Sequence, residues 1–398
     1  MTNPSLYCGD LWCSPWAAAK AAVTGQTSAI RWSQFQQRRL FLLYRSRFAI
    51  ARLLKAWGLG PGDEVLAPAY NCGTEIDSIF WCGANPVLYR IDAQTRLDPD
   101  EVRRRITPRT RALLVIHYFG WPQHWEELRE DCERNRIRVL EDCALSLFSR
   151  GPLGPLGTCG DAATYSFPKT LPVPHGGALV LHGDGDFEIP SGSVHPSWKI
   201  CLKESLPLFK RYLVHRADNT VLGGLSRQYL ERSWLPHTKT SPTPKYPDIP
   251  HDYYLDETKL KWGMTRMAGG LLDRFDERTI VERRRENYNV LDGEVESISG
   301  IKRLYQELPE GVCPLSMPIL VSNRTSWFLR LQERRIHTLP WWGGFHQRLD
   351  WDNHPEARDL KNQVLTLPIH QGLDERHMAY MAQCLREIAA DQSGGRRS

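Results

Sequence analysis

Residues 138–182 read RVLEDCALSLFSRGPLGPLGTCGDAATYSFPKTLPVPHGGALVLH. Three short apolar runs, RVLEDCA (138–144), AATYSF (162–167) and ALVLH (178–182), are separated here by Gly- and Pro-rich turns. Runs of that length, rich in Val, Leu, Ala and Tyr and flanked by breakers, read as strands covered on both faces. Upstream, ALLVIHY (112–118) and a strand over 87–91 follow amphipathic stretches at 46–58 and 73–83, and Pro61-Gly62-Asp63 turns the chain into Glu64-Val65-Leu66-Ala67. Helix and strand alternate from about residue 46 to 182, which predicts an α/β domain with a mainly parallel sheet.

Beyond residue 182 the pattern changes. Residues 236–256 hold five prolines and read as an irregular connector. Helical periodicity resumes over 257–290 and near 324–335, a Trp- and Gly-rich loop occupies 341–346, and a last helix is expected over 373–390. The expected division is an N-terminal segment 1–39, a large domain 40–250, a connecting helical segment 251–290, a smaller α+β domain 291–390 and a tail 391–398, whose last residues SGGRRS are expected to be disordered.

Composition narrows the class. The chain has 398 residues, 41% hydrophobic and 24% charged, with no apolar run of about 18 residues to span a membrane, and its N-terminus does not read as a secretory leader, so none is expected. Cytoplasm is the expected compartment. Ten cysteines are scattered without a CxxC pair, so no metal site is expected and most should be buried thiols. The net charge of +5 is small, and the arginine runs 103–105 and 283–285 read as solvated helix faces rather than a nucleic-acid surface.

Ligands of doubly wound sheets bind beyond the carboxyl ends of the strands, so polar residues there come first. Asp142, beside Glu141, is placed to hold a cofactor cation or to pair with a surface base. Lys169 follows the Ser166 strand in a loop, TLPVPH, too apolar for an ordinary exposed turn; a desolvated lysine forms imines with aldehydes. Ser46, between Arg45 and Arg47, opens a helix and is either an N-cap or part of an anion site. His117 and Tyr118 lead an aromatic cluster that either packs in the core or covers a flat ring. Together these groups suit an aldehyde-bearing, phosphorylated pyridine.

The ordered set GLGPGDEVLAPAY (58–70), GANPVLYRID (83–92), ITPRTRALLVIHYFGWP (106–122), VLEDCA (139–144), GDAATYSF (160–167), KTLPVPHGGALV (169–180) and LPIHQGLDERHMAYMAQCLREI (367–388) resembles the DegT/DnrJ/EryC1/StrS family of pyridoxal-phosphate sugar aminotransferases. The resemblance runs from about residue 40 to 390. It implies an aspartate-aminotransferase-like fold (PLP fold type I), with a large domain and a smaller C-terminal α+β domain, pyridoxal 5'-phosphate as cofactor, and a homodimer. It implies Lys169 as the Schiff-base lysine and proton shuttle, Asp142 as partner of the ring nitrogen, and Ser166 with Ser46 and Arg47 at the phosphate. Its substrates would be an amino donor such as glutamate and a keto-sugar, nucleotide-linked, bound near His175, Arg334, Arg335, Trp341, Trp342 and His346.

The chain departs from the family pattern at several points. Leu145 replaces a glutamine, Cys72 stands where a stacking aromatic is usual, and His175 replaces an acid before Gly176-Gly177. Lys261-Trp262-Gly263-Met264 replaces an Asn-Tyr-Arg-Met stretch, and two residues are missing between Ser166-Phe167 and the lysine. With Cys72 in place of a ring, His117 or Tyr118 is expected to supply the aromatic wall. A sugar dehydratase and a non-catalytic regulator on the same fold are the alternatives; the lysine, where dehydrating relatives carry histidine, favours transfer.

Overall fold

The computed structural model describes residues 8, 11–24, 30, 32–36, 38–182, 189, 192, 194–217 and 246–394. Its centre is a seven-stranded sheet built from β1 (Arg39–Leu43), β2 (Glu64–Pro68), β3 (Asn85–Tyr89), β4 (Thr110–Ile116), β5 (Arg138–Asp142), β6 (Ala162–Ser166) and β7 (Gly177–Leu181). The spatial order is β1-β7-β6-β5-β4-β2-β3. Strands β2 to β6 pair in parallel, whereas β7 runs antiparallel to both β6 and β1. The strands predicted at 87–91, 112–118, 138–144, 162–167 and 178–182 are all present, shifted by two residues or less at their starts.

Helices α1 (Pro15–Thr24), α2 (Ser46–Ala56), α3 (Thr74–Trp81), α4 (Pro99–Arg105), α5 (Arg129–Asn135), the single turn α6 (Phe167–Thr170) and α7 (Trp198–Ala217) accompany this sheet. Helix α2 buries Phe48, Ile50, Leu53 and Leu54; each such side chain contributes roughly 1.5–3 kcal/mol, which fixes where the α2 N-terminus meets the sheet. In α4, Asp98 caps the start and accepts from Asp100 N–H, while Arg103, Arg104 and Arg105 fill the last turn, where cations suit the helix dipole.

A second, wholly antiparallel sheet has the order β8-β9-β11-β10, from β8 (Ile301–Arg303), β9 (Met317–Val321), β10 (Leu339–Pro340) and β11 (Val364–Leu367). The C-terminal part of the chain also forms α8 (Arg266–Leu272), α9 (Glu277–Val295), α10 (Arg324–Glu333), α11 (Pro355–Gln363) and α12 (Glu375–Gly394). The chain is thus α/β with an added antiparallel sheet, as the sequence implies.

Two expectations need correction. The helix expected over 257–290 is interrupted: Gly263 leaves it to bridge Leu43, the Trp262 carbonyl accepts from Tyr44 N–H at 3.2 Å, and fresh caps at Thr265 and Asp276 start α8 and α9. Nor is the run 283–285 a uniformly solvated face. Ile280, Arg284, Asn287 and Leu291 form one buried stripe of α9, and the Arg284 guanidinium lies wholly inside. Of the connector, residues 246–256 are irregular apart from a 3₁₀ turn at His251–Tyr253, while 236–245 and the tail 395–398 lie outside the described residues. All ten cysteines are free, and eight are buried.

Candidate active site

Alternation along β5 sends its last two residues to opposite faces of the sheet. Glu141 meets His117, whose Nε2 donates to it at 2.9 Å and whose Nδ1 accepts from Gln123 N–H at 2.9 Å. Glu141 also accepts from the N–H groups of Gly157, Cys159 and Gly160 at 3.3, 2.8 and 2.6 Å. Burial alone would push this carboxyl up, but His117 and the backbone donors outweigh it and hold it at about 2. His117 is thus buried between Glu141, which ties it to the 157–160 turn, and the Gln123 N–H, rather than standing beside Tyr118 as an open ring face.

That pair makes a prediction. A carboxyl depressed from 4.5 to about 2 contributes stability that is complete above pH 4.5 and lost as pH falls towards 2. The loss over that window is on the order of 3 kcal/mol. Urea unfolding between pH 6 and 3 should show Glu141→Gln less stable at pH 6 and flatter in its acid limb; parallel limbs would mean that Glu141 is not the titrating group.

Asp142 faces the other way, into the site. It is 3% exposed, and its one hydrogen bond among the described residues is accepted from Ala144 N–H at 2.9 Å. Burial, then the negative charge of Glu75, push it up to about 7, against the opposing pull of Lys169. Lys169 rides on α6 immediately after β6, and its Nζ lies 5.2 Å from the centre of the Trp341 ring. The sheet thus brings Asp142 and Lys169 within reach of each other's charge.

The approach of the α2 N-terminus to the sheet is set by a glycine. Antiparallel register places Gly177 opposite Ser166, and a Cβ on Gly177 would come within 2.5 Å of Ser46 N. Only glycine lets the α2 N-terminus sit on β7, and the result puts Ser46 beside Ser166. Neither hydroxyl makes a hydrogen bond to another described residue. Arg47 points elsewhere: its Nη1 donates to the Asp252 carbonyl and its guanidinium lies over Tyr253 at 5.4 Å. Tyr118 donates to the Tyr70 carbonyl at 2.6 Å and stacks on the Tyr70 ring, with Trp342 packed behind at 5.0 Å from Tyr70.

The other expected substrate residues are scattered. His175 is fully buried, with Nδ1 3.1 Å from Glu204 and Nε2 2.9 Å from Thr265, and braces the core. Arg334 turns towards Glu387 of α12 at 3.6 Å. Arg335 adopts a left-handed conformation, and its carbonyl accepts from Cys8 N–H; neither arginine lines the Lys169 cavity. His346 is held by Asp77 at 3.3 Å between Phe80 and Tyr254. Of the six, the structure brings Trp341 to Lys169.

Three further buried groups shape the site. Glu75, 3% exposed, accepts from the Cys72 thiol at 3.1 and 3.0 Å, and burial with this carboxylate pushes Cys72 up to about 12. Cys72, in the place of a ring, is therefore an inert filler. Lys361 Nζ donates to the carbonyls of Asn71 and Gly344 at 2.6 and 2.8 Å, securing the same turn, and burial pulls its ammonium down to about 7. Arg284 donates to the carbonyls of Thr170, Pro314 and Leu315 and to Gln371, at 3.1, 3.2, 2.7 and 2.8 Å. It clamps the turn that carries Lys169 to the segment entering β9. Glu75 lay open to the strand-end rule, seven residues past β2; Arg284 was legible in its spacing from Ile280 and Leu291.

Replacing Arg284 by methionine should lower the unfolding free energy by roughly 3–5 kcal/mol, since four buried acceptors lose a charged donor. Urea denaturation measures this; a loss below about 1 kcal/mol would mean that the clamp is dispensable.

Residues 48–188 match the model of the DegT/DnrJ/EryC1/StrS aminotransferase family. The chain is 30% identical over 139 residues to a GDP-perosamine synthase of Vibrio cholerae, covering 34% of this chain and 38% of that protein. It is 34% identical over 139 residues to a dTDP-3-amino-3,4,6-trideoxy-alpha-D-glucose transaminase of Streptomyces venezuelae, covering 34% and 37%. The alignments thus span little more than a third of these relatives. Over the whole chain the fold matches Spr1654 from Streptococcus pneumoniae in its PMP form, with TM-score 0.71, 17% identity and coverage of 98% and 99%.

Proposed function

We propose, for a chain whose residues 48–188 belong to the DegT/DnrJ/EryC1/StrS aminotransferase family, that it moves an amino group from an amino acid to a keto-sugar, nucleotide-linked, with pyridoxal 5'-phosphate as cofactor. The observation that carries this reading is the buried Asp142 sharing a site with Lys169 at the carboxyl ends of β5 and β6. The residues fit the group. Asp142 is a buried acid with one oxygen in no hydrogen bond, suited to a ring cation, and Ser46 and Ser166 offer unengaged hydroxyls beside a helix N-terminus, suited to a phosphate.

When bound, this cofactor supplies the electron sink that lets a substrate C–H bond ionise. The chain's own residues do the rest. Lys169 Nζ supplies the amine for the aldehyde and then carries the proton on and off the substrate carbon. Asp142 keeps the ring nitrogen charged, Arg284 holds the turn beneath Lys169, and Tyr70, Tyr118 and Trp342 wall off water. By the same resemblance the chain works as a homodimer.

Glutamate added to the purified yellow protein should bleach its visible absorbance, and a nucleotide-linked 3-keto or 4-keto sugar should restore it. Restoration only by 2-keto acids would overturn the sugar assignment. A colourless chain inert to every amino acid would overturn the enzyme reading itself in favour of a non-catalytic role.

A further inference from the structure

Helix α7 is apolar on the side it turns to solvent. Trp198, Leu202 and Leu206 recur at every fourth position, and Leu213 lies on the same face two turns further on. They are 71%, 46%, 43% and 56% exposed, where a helix packed on a core would bury such a row. Alongside runs a second exposed row, Lys199 and Lys203, and the Lys199 Nζ lies 5.9 Å from the centre of the Trp198 ring. The one acid in α7, Glu204, is turned inward to Tyr44, Arg45 and His175. The inner face is thus committed to the fold, and its Leu208 is buried and lines the cavity beside Lys169. Single exposed apolar side chains are ordinary, but a row of four on one helix, edged by lysines, marks a contact surface.

We propose that α7 lies on the surface of an anionic lipid bilayer, with Trp198, Leu202, Leu206 and Leu213 sunk to the boundary of headgroups and acyl chains and Lys199 and Lys203 at the phosphates. The pattern of side chains favours lipid over a second copy of the chain. An indole at the margin of an apolar row suits a surface that is greasy on one side and wet on the other, and lysines beside it reach phosphates while their stems cover the apolar row. Antiparallel pairing of two copies of α7 about a two-fold axis would instead set the lysine row against itself. Helix α1 stands close by: Cys13 N–H donates to the Leu208 carbonyl at 3.4 Å, so Trp16, three residues on, begins within about 10 Å of α7. Trp16 is exposed, as is Val23 on the same face of α1. The contact is peripheral, since no helix among the described residues is long and apolar enough to cross a membrane. A helix is about 10–12 Å across, so a docked chain holds the cavity lined by Leu208 about one helix width from the headgroups. This contact is independent of the chemistry assigned to Lys169.

The test is co-sedimentation of the purified full-length chain with vesicles of phosphatidylcholine, made with and without phosphatidylglycerol. The chain should bind the anionic vesicles and leave the neutral ones, and it should be released as salt rises past about 0.5 M, where charges are screened within a few ångströms. Lys199→Gln combined with Lys203→Gln should weaken binding about 25-fold, at about fivefold for each lysine. Leu202→Ser combined with Leu206→Ser should weaken it about tenfold or more. Both double variants should keep the parent's thermal midpoint and its activity on soluble substrates, since every altered side chain is exposed. Absence of binding to anionic vesicles overturns the proposal, as does equal binding to both kinds of vesicle or parent-like binding by both variants. A change in the mass measured by light scattering when Leu202 and Leu206 become serine would make this face a contact between copies, and the lipid assignment would fall.

Discussion

Lys169→Ala is expected to lower amino transfer by on the order of 10⁴-fold, the largest loss of any single substitution. Two roles meet on one atom. Nζ is the amine that reacts with an aldehyde, and it is the base that carries the proton at the substrate carbon. Lys361, buried nearby, is not placed to replace it, being pinned to the carbonyls of Asn71 and Gly344. Lys169→Arg should be nearly as poor, because a guanidinium keeps the charge above Trp341 but stays protonated and cannot act as an amine nucleophile. Stopped-flow absorbance after mixing with glutamate checks this, and a rate within tenfold of the parent would remove Lys169 from the chemistry.

The second large effect belongs to Asp142. Asp142→Asn should lower transfer by roughly 10²-fold or more while cofactor still binds, since an amide cannot keep a ring nitrogen protonated. It should also change stability, with the opposite sign. The folded carboxyl is raised from 3.8 to about 7, so its contribution is complete below pH 3.8 and is lost as pH climbs towards 7. Ionised Asp142 therefore strains the cofactor-free fold at neutral pH. Asp142→Asn, freed of its cofactor, should be more stable than the parent at pH 8 and equal to it near pH 4. Urea midpoints at the two pH values decide; a less stable variant at pH 8 would show that the buried charge is well compensated.

These opposed effects bear on how much the sequence disclosed. Strand β5 was readable because its apolar run is continuous, and Lys169, Asp142, Ser46 and Ser166 were readable because strand ends and helix starts locate them. His117 was misplaced because the sequence does not say which neighbour a strand-end side chain chooses, and its pairing with Glu141 depends on β4 meeting β5 in one register. His175, Arg334 and His346 were misplaced for a similar reason: a polar residue reads the same whether it meets a ligand or braces a core, as His175 does with Glu204 and Thr265. The break at Gly263 also depends on a distant partner, the end of β1 at Leu43.

One covalent bond decides whether Lys169 is the Schiff-base lysine. Purified protein reduced with borohydride, digested and mapped by mass spectrometry should carry the pyridoxyl group on the peptide containing Lys169. Modification should be absent from the same peptide of Lys169→Ala. A pyridoxyl group fixed to Lys203, Lys210 or Lys361 instead, or no fixed cofactor at all in protein that binds it, would contradict the assignment of this site.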